Sequence, residues 1–84
     1  MTKVVNKYHE NYDVYIGRGS KWGNPFVIGP DGSRSDVIRK YEKWIRTQAH
    51  LLNSLEELRD KTLGCFCKPH ACHGDVLVRL LNEK

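Results

Sequence analysis

The sequence predicts an α/β domain built on a short, mostly parallel sheet with about three helices. Two strand-like runs, Asp13-Val14-Tyr15-Ile16-Gly17 and Thr62-Leu63-Gly64-Cys65-Phe66-Cys67, are rich in β-formers. Between them, Val37, Tyr41, Trp44 and Ile45 recur at helical spacing, and Leu51, Leu55 and Leu58 give a second helical stripe. Strands joined through helices run parallel with a right-handed crossover. The loops that leave both strands then emerge at one C-terminal sheet edge, where open α/β sheets hold ligands.

In chain order, Lys3 to Asn6 carries Val4-Val5, a short first strand, and the polar stretch from Lys7 to Tyr12 connects it onward. After the Asp13–Gly17 strand comes a loop of glycines and polar groups, Arg18 to Pro25. Phe26-Val27-Ile28 extends briefly before the turn Gly29-Pro30-Asp31-Gly32. Ser33 with Asp36 three residues on has the layout of a capping box, and Ser35 is an equally good cap. Ile38 flanks the apolar face of the first helix; Arg39, Lys43 and Arg46 fall opposite, a solvated face. Asn53 or Ser54 can cap a later start of the second helix, which ends near Arg59-Asp60-Lys61. Val76, Leu77, Leu80 and Leu81 give the last helix its buried stripe.

Eighty-four residues make a single domain, 1–84, with a small core. A charged content of 29% beside 39% hydrophobic residues fits a folded chain rather than a disordered one. No apolar run approaches the roughly 20 residues that span a bilayer, and Met1 to Asn6 lacks the apolar segment of a signal peptide. A cytoplasmic location is expected. The net charge of +4 admits phosphorylated small molecules or nucleic acid as partners and requires neither. Three cysteines, an odd number, argue against a disulfide framework.

All three cysteines fall in Cys65-Phe66-Cys67-Lys68-Pro69-His70-Ala71-Cys72-His73-Gly74-Asp75, the strand-to-helix junction. Cys65, Cys67 and Cys72 with His70 or His73 have the ligand count of a zinc site. On a regular strand, however, Cys65 and Cys67 are about 7 Å apart, too far for one zinc unless the strand ends between them. The second reading places Cys72 and His73 at the N-terminus of the last helix, whose amides and dipole attract anions and lower a thiol's pKa. There Cys72 is the candidate nucleophile, His73 the acid or base and Asp75 its orienting group, while Gly74 lets a ligand approach the backbone. Cys65 is expected to be a buried strand residue. His9 and His50 are expected at the surface.

The loop Gly17-Arg18-Gly19-Ser20-Lys21-Trp22-Gly23-Asn24 forms the other half of the expected site. Arg18, Ser20 and Lys21 suit a phosphate, while Trp22 and Asn24 suit the stacking and edge of a base. It is neither a P-loop nor a dinucleotide fingerprint. The plain alternative is a polar loop whose tryptophan fills the core.

Val4-Val5-Asn6, the run from Asp13 to Phe26, and Leu63-Gly64-Cys65-Phe66-Cys67 with Cys72-His73-Gly74-Asp75 together resemble the family called domain of unknown function 4326. The resemblance covers essentially the whole chain and implies a bacterial or bacteriophage protein of the cytoplasm. Leu63 to Leu81 also resembles domain of unknown function 488, through a strand ending in Cys65 and the Cys72-His73 pair opening the last helix. That family usually carries arginine where this chain has Gly74. The second likeness implies a compact Rossmann-like fold.

The function expected from these residues is binding of a nucleotide-like or other phosphorylated ligand between the two loops, with Cys/His chemistry in reach. The alternative is a zinc-stabilised module for nucleic acid or protein without catalysis, such as a phage factor acting on host machinery. That module would take zinc as its cofactor on Cys65, Cys67, Cys72 and His70.

Overall fold

The computed structural model describes residues 2–66 and 70–83. Three strands form one parallel sheet: β1 (Lys3–Asn6), β2 (Val14–Tyr15) and β3 (Thr62–Cys65), in the order β1-β3-β2. β1 aligns Val5 with Gly64 and Asn6 with Cys65, and β2 aligns Tyr15 with Gly64. The middle strand is therefore the last in sequence, and its neighbours run alongside it in the same direction. Backbone bonds carry the pairing past the strand ends, from Lys7 N–H to the Cys65 carbonyl at 2.9 Å and from Ile16 N–H to that of Gly64 at 3.0 Å.

β2 is shorter than the sequence suggests. Asp13 still donates its N–H to the Thr62 carbonyl and accepts from Thr62 N–H on its carboxylate, both at 2.8 Å. Beyond Ile16 the chain leaves the sheet in turns. Phe26-Val27-Ile28 forms no strand; the nearest ladder contact is an isolated antiparallel bridge between Gly29 and Gly32.

Helix α1 (Arg34–Ile45) starts at a reciprocal capping box. The Ser33 hydroxyl accepts from Asp36 N–H, and the Asp36 carboxylate accepts from Ser33 N–H at 2.9 Å. The Ser33 N–H and hydroxyl, both donating to the Asp36 carboxylate, hold that carboxyl below its ordinary range. Ser35 lies inside the first turn, so Ser33 is the cap. Val37, Tyr41 and Ile45 form the buried face, with Ile38 and Trp44 half-buried at its edges. Arg39 and Arg46 on the outer face pair with Asp36 and with Glu42 and Glu83.

The leucine stripe divides between a short α2 (Ala49–Ser54) and one 3-10 turn, Leu55–Leu58. Neither start has a side-chain cap, so Asn53 and Ser54 do not play that part. Leu51, Leu55 and Leu58 are all buried nonetheless, because tertiary packing rather than helix regularity places them. α3 (Gly74–Asn82) buries Val76, Leu77, Leu80 and Leu81 and packs against β1 and the 3-10 turn, while α1 meets both α2 and α3. Among the described residues, no helix is long and apolar enough to cross a membrane.

Candidate functional site

A cleft of about 110 Å³ opens at the C-terminal edge of the sheet. One wall is the chain after β2, with Gly17, Arg18, Asn24 and Phe26; the facing wall is Cys65 and Phe66 at the end of β3 with Ala71, Cys72 and His73 leading into α3. Arg34, Val37 and Ile38 from the first turns of α1 close it. The two loops singled out in the sequence thus meet, brought together by the parallel pairing of β2 with β3.

The floor is the Cys72-His73 pair. His73 is buried, and its Nε2 lies 2.6 Å from the Ile16 carbonyl oxygen. A carbonyl only accepts, so Nε2 carries the proton and the neutral ring keeps its lone pair on Nδ1. Burial pushes the His73 pKa down, more than the bond to Ile16 raises it, so the ring is neutral at pH 7. Nδ1 lies 3.7 Å from Cys72 Sγ, and the Tyr41 ring meets the imidazole edge-on with centroids 5.0 Å apart. Cys72 Sγ is also 2.8 Å from Cys65 Sγ and 3.4 Å from the Gly74 amide nitrogen at the start of α3. Cys65 is buried as expected, yet it also lines the cleft.

Two expected roles change. Asp75 accepts the Cys72 backbone N–H at 3.2 Å, as a residue in a helix's first turn does, whereas the Ile16 carbonyl orients His73. Gly74 is buried, and a Cβ there would stand 2.7 Å from Ile16 Cδ1 and 2.9 Å from Val4 Cγ2. Its lack of a side chain lets α3 close onto the sheet; it does not open a path for a ligand.

The glycine-rich loop divides as well. Trp22 is 2% exposed and belongs to the core, with its carbonyl accepting from the Tyr41 hydroxyl at 2.7 Å. An indole so enclosed has no face for a base. Lys21 pairs with Glu57 at 2.9 Å and sits over the Trp22 ring rather than lining the cleft. The Ser20 hydroxyl donates to the Gly17 carbonyl at 2.7 Å, inside its own turn. Asn24 does line the cleft, but its amide donates to the Val37 carbonyl and accepts from Phe26 N–H, which fixes the loop onto α1.

Arg18 and Arg34 remain. Arg18 donates to the carbonyls of Asn24 and Phe26, at 3.3 and 3.4 Å, and Arg34 to that of Ala71, at 3.3 Å. Among the described residues, neither guanidinium meets a carboxylate, whereas Arg39, Arg46, Arg59 and Arg79 each pair with one. Arg34 is a cleft residue that motif reading passes over. Its signal is what surrounds it, since the positions three and four residues ahead, Val37 and Ile38, are apolar and leave it no carboxylate along the helix.

For the zinc reading, Cys67 lies outside the described residues. Among the described residues no group of three His, Cys, Asp or Glu side chains is placed to hold a metal, and His70 is exposed. Tetrahedral zinc at 2.3 Å from each thiolate sets two sulfurs about 3.8 Å apart, wider than the Cys65–Cys72 contact.

A family model described as a domain of unknown function, DUF4326, matches residues 2–83, and the chain belongs to that family. It is 44% identical over 92 residues to an uncharacterized 12.4 kDa protein in the nrdA-td intergenic region of Enterobacteria phage T4, covering 99% of this chain and 80% of that protein. It is 39% identical over 93 residues to the uncharacterized protein R718 of Acanthamoeba polyphaga mimivirus, covering 89% of this chain and 71% of that one. No solved structure matches the chain significantly.

Proposed function

We propose that this member of the DUF4326 family binds a phosphorylated, nucleotide-like ligand in the cleft between the two loops. The observation that carries the reading is the pair of arginines, Arg18 and Arg34. They come from different elements, line one small cleft and, among the described residues, lack the carboxylate partners of the other arginines. A guanidinium fork on a backbone carbonyl keeps donors for a phosphate, which it meets with two parallel bonds. The start of α3, a nine-residue helix, adds its dipole to the same cleft. Phe26 and Phe66 flank it with aromatic surface suited to a base. A parallel sheet with its cleft at the C-terminal edge supports a Rossmann-like description of the fold and of its ligand edge.

Isothermal titration against a panel of nucleoside mono-, di- and triphosphates and inorganic phosphate tests the proposal. Binding that falls at least tenfold in both Arg18→Ala and Arg34→Ala, with folding intact, supports it. No binding across the panel, or binding untouched by both changes, overturns it.

Thiol chemistry at Cys72 is a second reading, favoured by the His73 tautomer, which leaves Nδ1 as proton acceptor toward Sγ. The experiment is iodoacetamide alkylation followed by mass spectrometry. The reading expects faster Cys72 modification in wild type than in His73→Gln, and bound nucleotide to slow it. Equal rates in the two proteins remove it.

A further inference from the structure

Beside the cleft, a run of aromatic rings that the core does not use spreads from the same sheet edge across Gly64 of β3, which the Tyr12 ring covers. Tyr8 is 71% exposed, Phe66 46% and Tyr12 40%, unusual for such large side chains in so small a domain. They are continuous rather than scattered. The Phe66 centroid lies 5.5 Å from Tyr8 and 6.0 Å from Tyr15, and Tyr15 lies 6.5 Å from Tyr12. Lys7 Nζ sits among them, 4.7 Å from the Tyr15 and Phe66 centroids and 5.3 Å from that of Tyr8. Phe66 belongs both to this surface and to the cleft that holds Arg18 and Arg34.

We propose that this surface seats bases of single-stranded nucleic acid while the arginine cleft holds a backbone phosphate of the same strand. The proposal rests on the phosphate reading of the cleft and names its ligand as a polymer. Aromatic rings beside cations are how single strands are held without a sequence code: each base stacks on a ring face and the phosphates track the charges. A lone mononucleotide with its phosphate on the arginines reaches Phe66 at the rim and leaves Tyr8 and Tyr12 in water. A second and third nucleotide would cover them. Duplex is excluded from this mode because its bases are stacked on each other. Charge agrees with a polyanion: the chain carries a net +4, and Lys7, Arg18 and Arg34 stand along this edge.

The experiment measures anisotropy of labelled oligothymidylate and oligouridylate, each about a dozen nucleotides long, with thymidine and uridine monophosphates titrated by calorimetry for comparison. The proposal expects an oligonucleotide of either sugar to bind at least tenfold more tightly than its monophosphate. Tyr8→Ala, outside both cleft and core, should weaken the oligonucleotide about tenfold and leave the monophosphate unchanged. With two phosphates neutralised, one by the arginine pair and one by Lys7, the logarithm of affinity should fall against that of salt with a slope of about −1.4. Monophosphate binding lost in Arg18→Ala, with oligonucleotides no tighter or indifferent to Tyr8→Ala, overturns the polymer and leaves the cleft reading standing. Equal affinity for duplex overturns it too, as does concentration-dependent dimerisation that Tyr8→Ala abolishes in a protein that binds no oligonucleotide. Failure of both monophosphate and oligonucleotide to bind overturns the polymer, and the cleft reading falls with it when the whole panel of nucleotides and inorganic phosphate also fails to bind.

Discussion

His73 Nε2 donates to the carbonyl oxygen of Ile16 across 2.6 Å, and this bond ties the cap residue of α3 to the end of β2. It holds the His73 ring in the cleft floor, with Nδ1 toward Cys72 Sγ. It also fixes a pH dependence. Burial lowers the His73 pKa below the ordinary 6.5, so the unfolded chain takes up the proton first as pH falls. This contribution to stability is whole above about pH 6.5 and is lost as the pH drops from there, by up to about 1.4 kcal/mol per pH unit. Urea unfolding at a series of pH values should show the decline in wild type and a shallower one in His73→Gln. Equal slopes in the two proteins would rule His73 out as its source.

Gly74→Ala should destabilise the domain although alanine is the better helix former by about 1 kcal/mol. The added Cβ meets the Ile16 and Val4 side chains at under 3.0 Å, so either those side chains or α3 itself must shift. Overpacking of this kind costs about 1–3 kcal/mol. Denaturant midpoints decide the sign, and an unchanged or raised midpoint would refute the packing role.

Tyr41 is fully buried, and its hydroxyl donates to the Trp22 carbonyl. Burial, with Cys72 nearby, pushes its pKa well up, so it stays a donor throughout the physiological range. Tyr41→Phe strands that carbonyl at a cost of about 1–3 kcal/mol. In a domain of this size the melting temperature should fall by roughly 4–8 °C per kcal/mol, read by calorimetry.

Asp75→Ala removes the acceptor for Cys72 N–H at the start of α3. Loss of a hydrogen bond of this kind costs on the order of 1 kcal/mol. Asp75→Asn, which keeps an acceptor oxygen, should recover much of it. Against the burial that lowers the His73 pKa, the Asp75 charge raises it, while the Ile16 carbonyl orients the ring. Asp75→Asn should therefore lower that pKa further and leave Nε2 protonated, read by nitrogen NMR; a changed tautomer would restore the orienting role to Asp75.

The parallel pairing of β2 with β3 was legible because hydrophobic period and the alternation of strands with helices are written locally. The place of β1, on the other side of β3, was not. Val37, Tyr41 and Ile45 announce their helix, Ser33 and Asp36 its start, and β-α-β connectivity then brings the two loops to one edge. The contents of that edge were less legible. Trp22 and Lys21 look like ligand groups in a glycine-rich loop, and only the fold shows the core closing over the indole and Glu57 taking the ammonium. Asp75 follows His73 closely in sequence, yet helix geometry turns its carboxylate to the backbone of Cys72. Arg34 was hidden for the opposite reason. It sits in no motif, and what marks it is the lack of a carboxylate, a property of its neighbours.

The strand order has a consequence for how the domain is made. β1 and β2 bond to β3 and not to each other, so neither has a sheet partner until residues 62–65 leave the ribosome. Closing the sheet spans a loop of nearly sixty residues for β1 and nearly fifty for β2. Such sequence-distant pairing is slow to form, since the loop entropy is lost before the contacts are gained. The arginine cleft therefore assembles late, in the same event that completes the sheet. A fragment ending at Asp60 should show helical signal from α1 and none from a sheet.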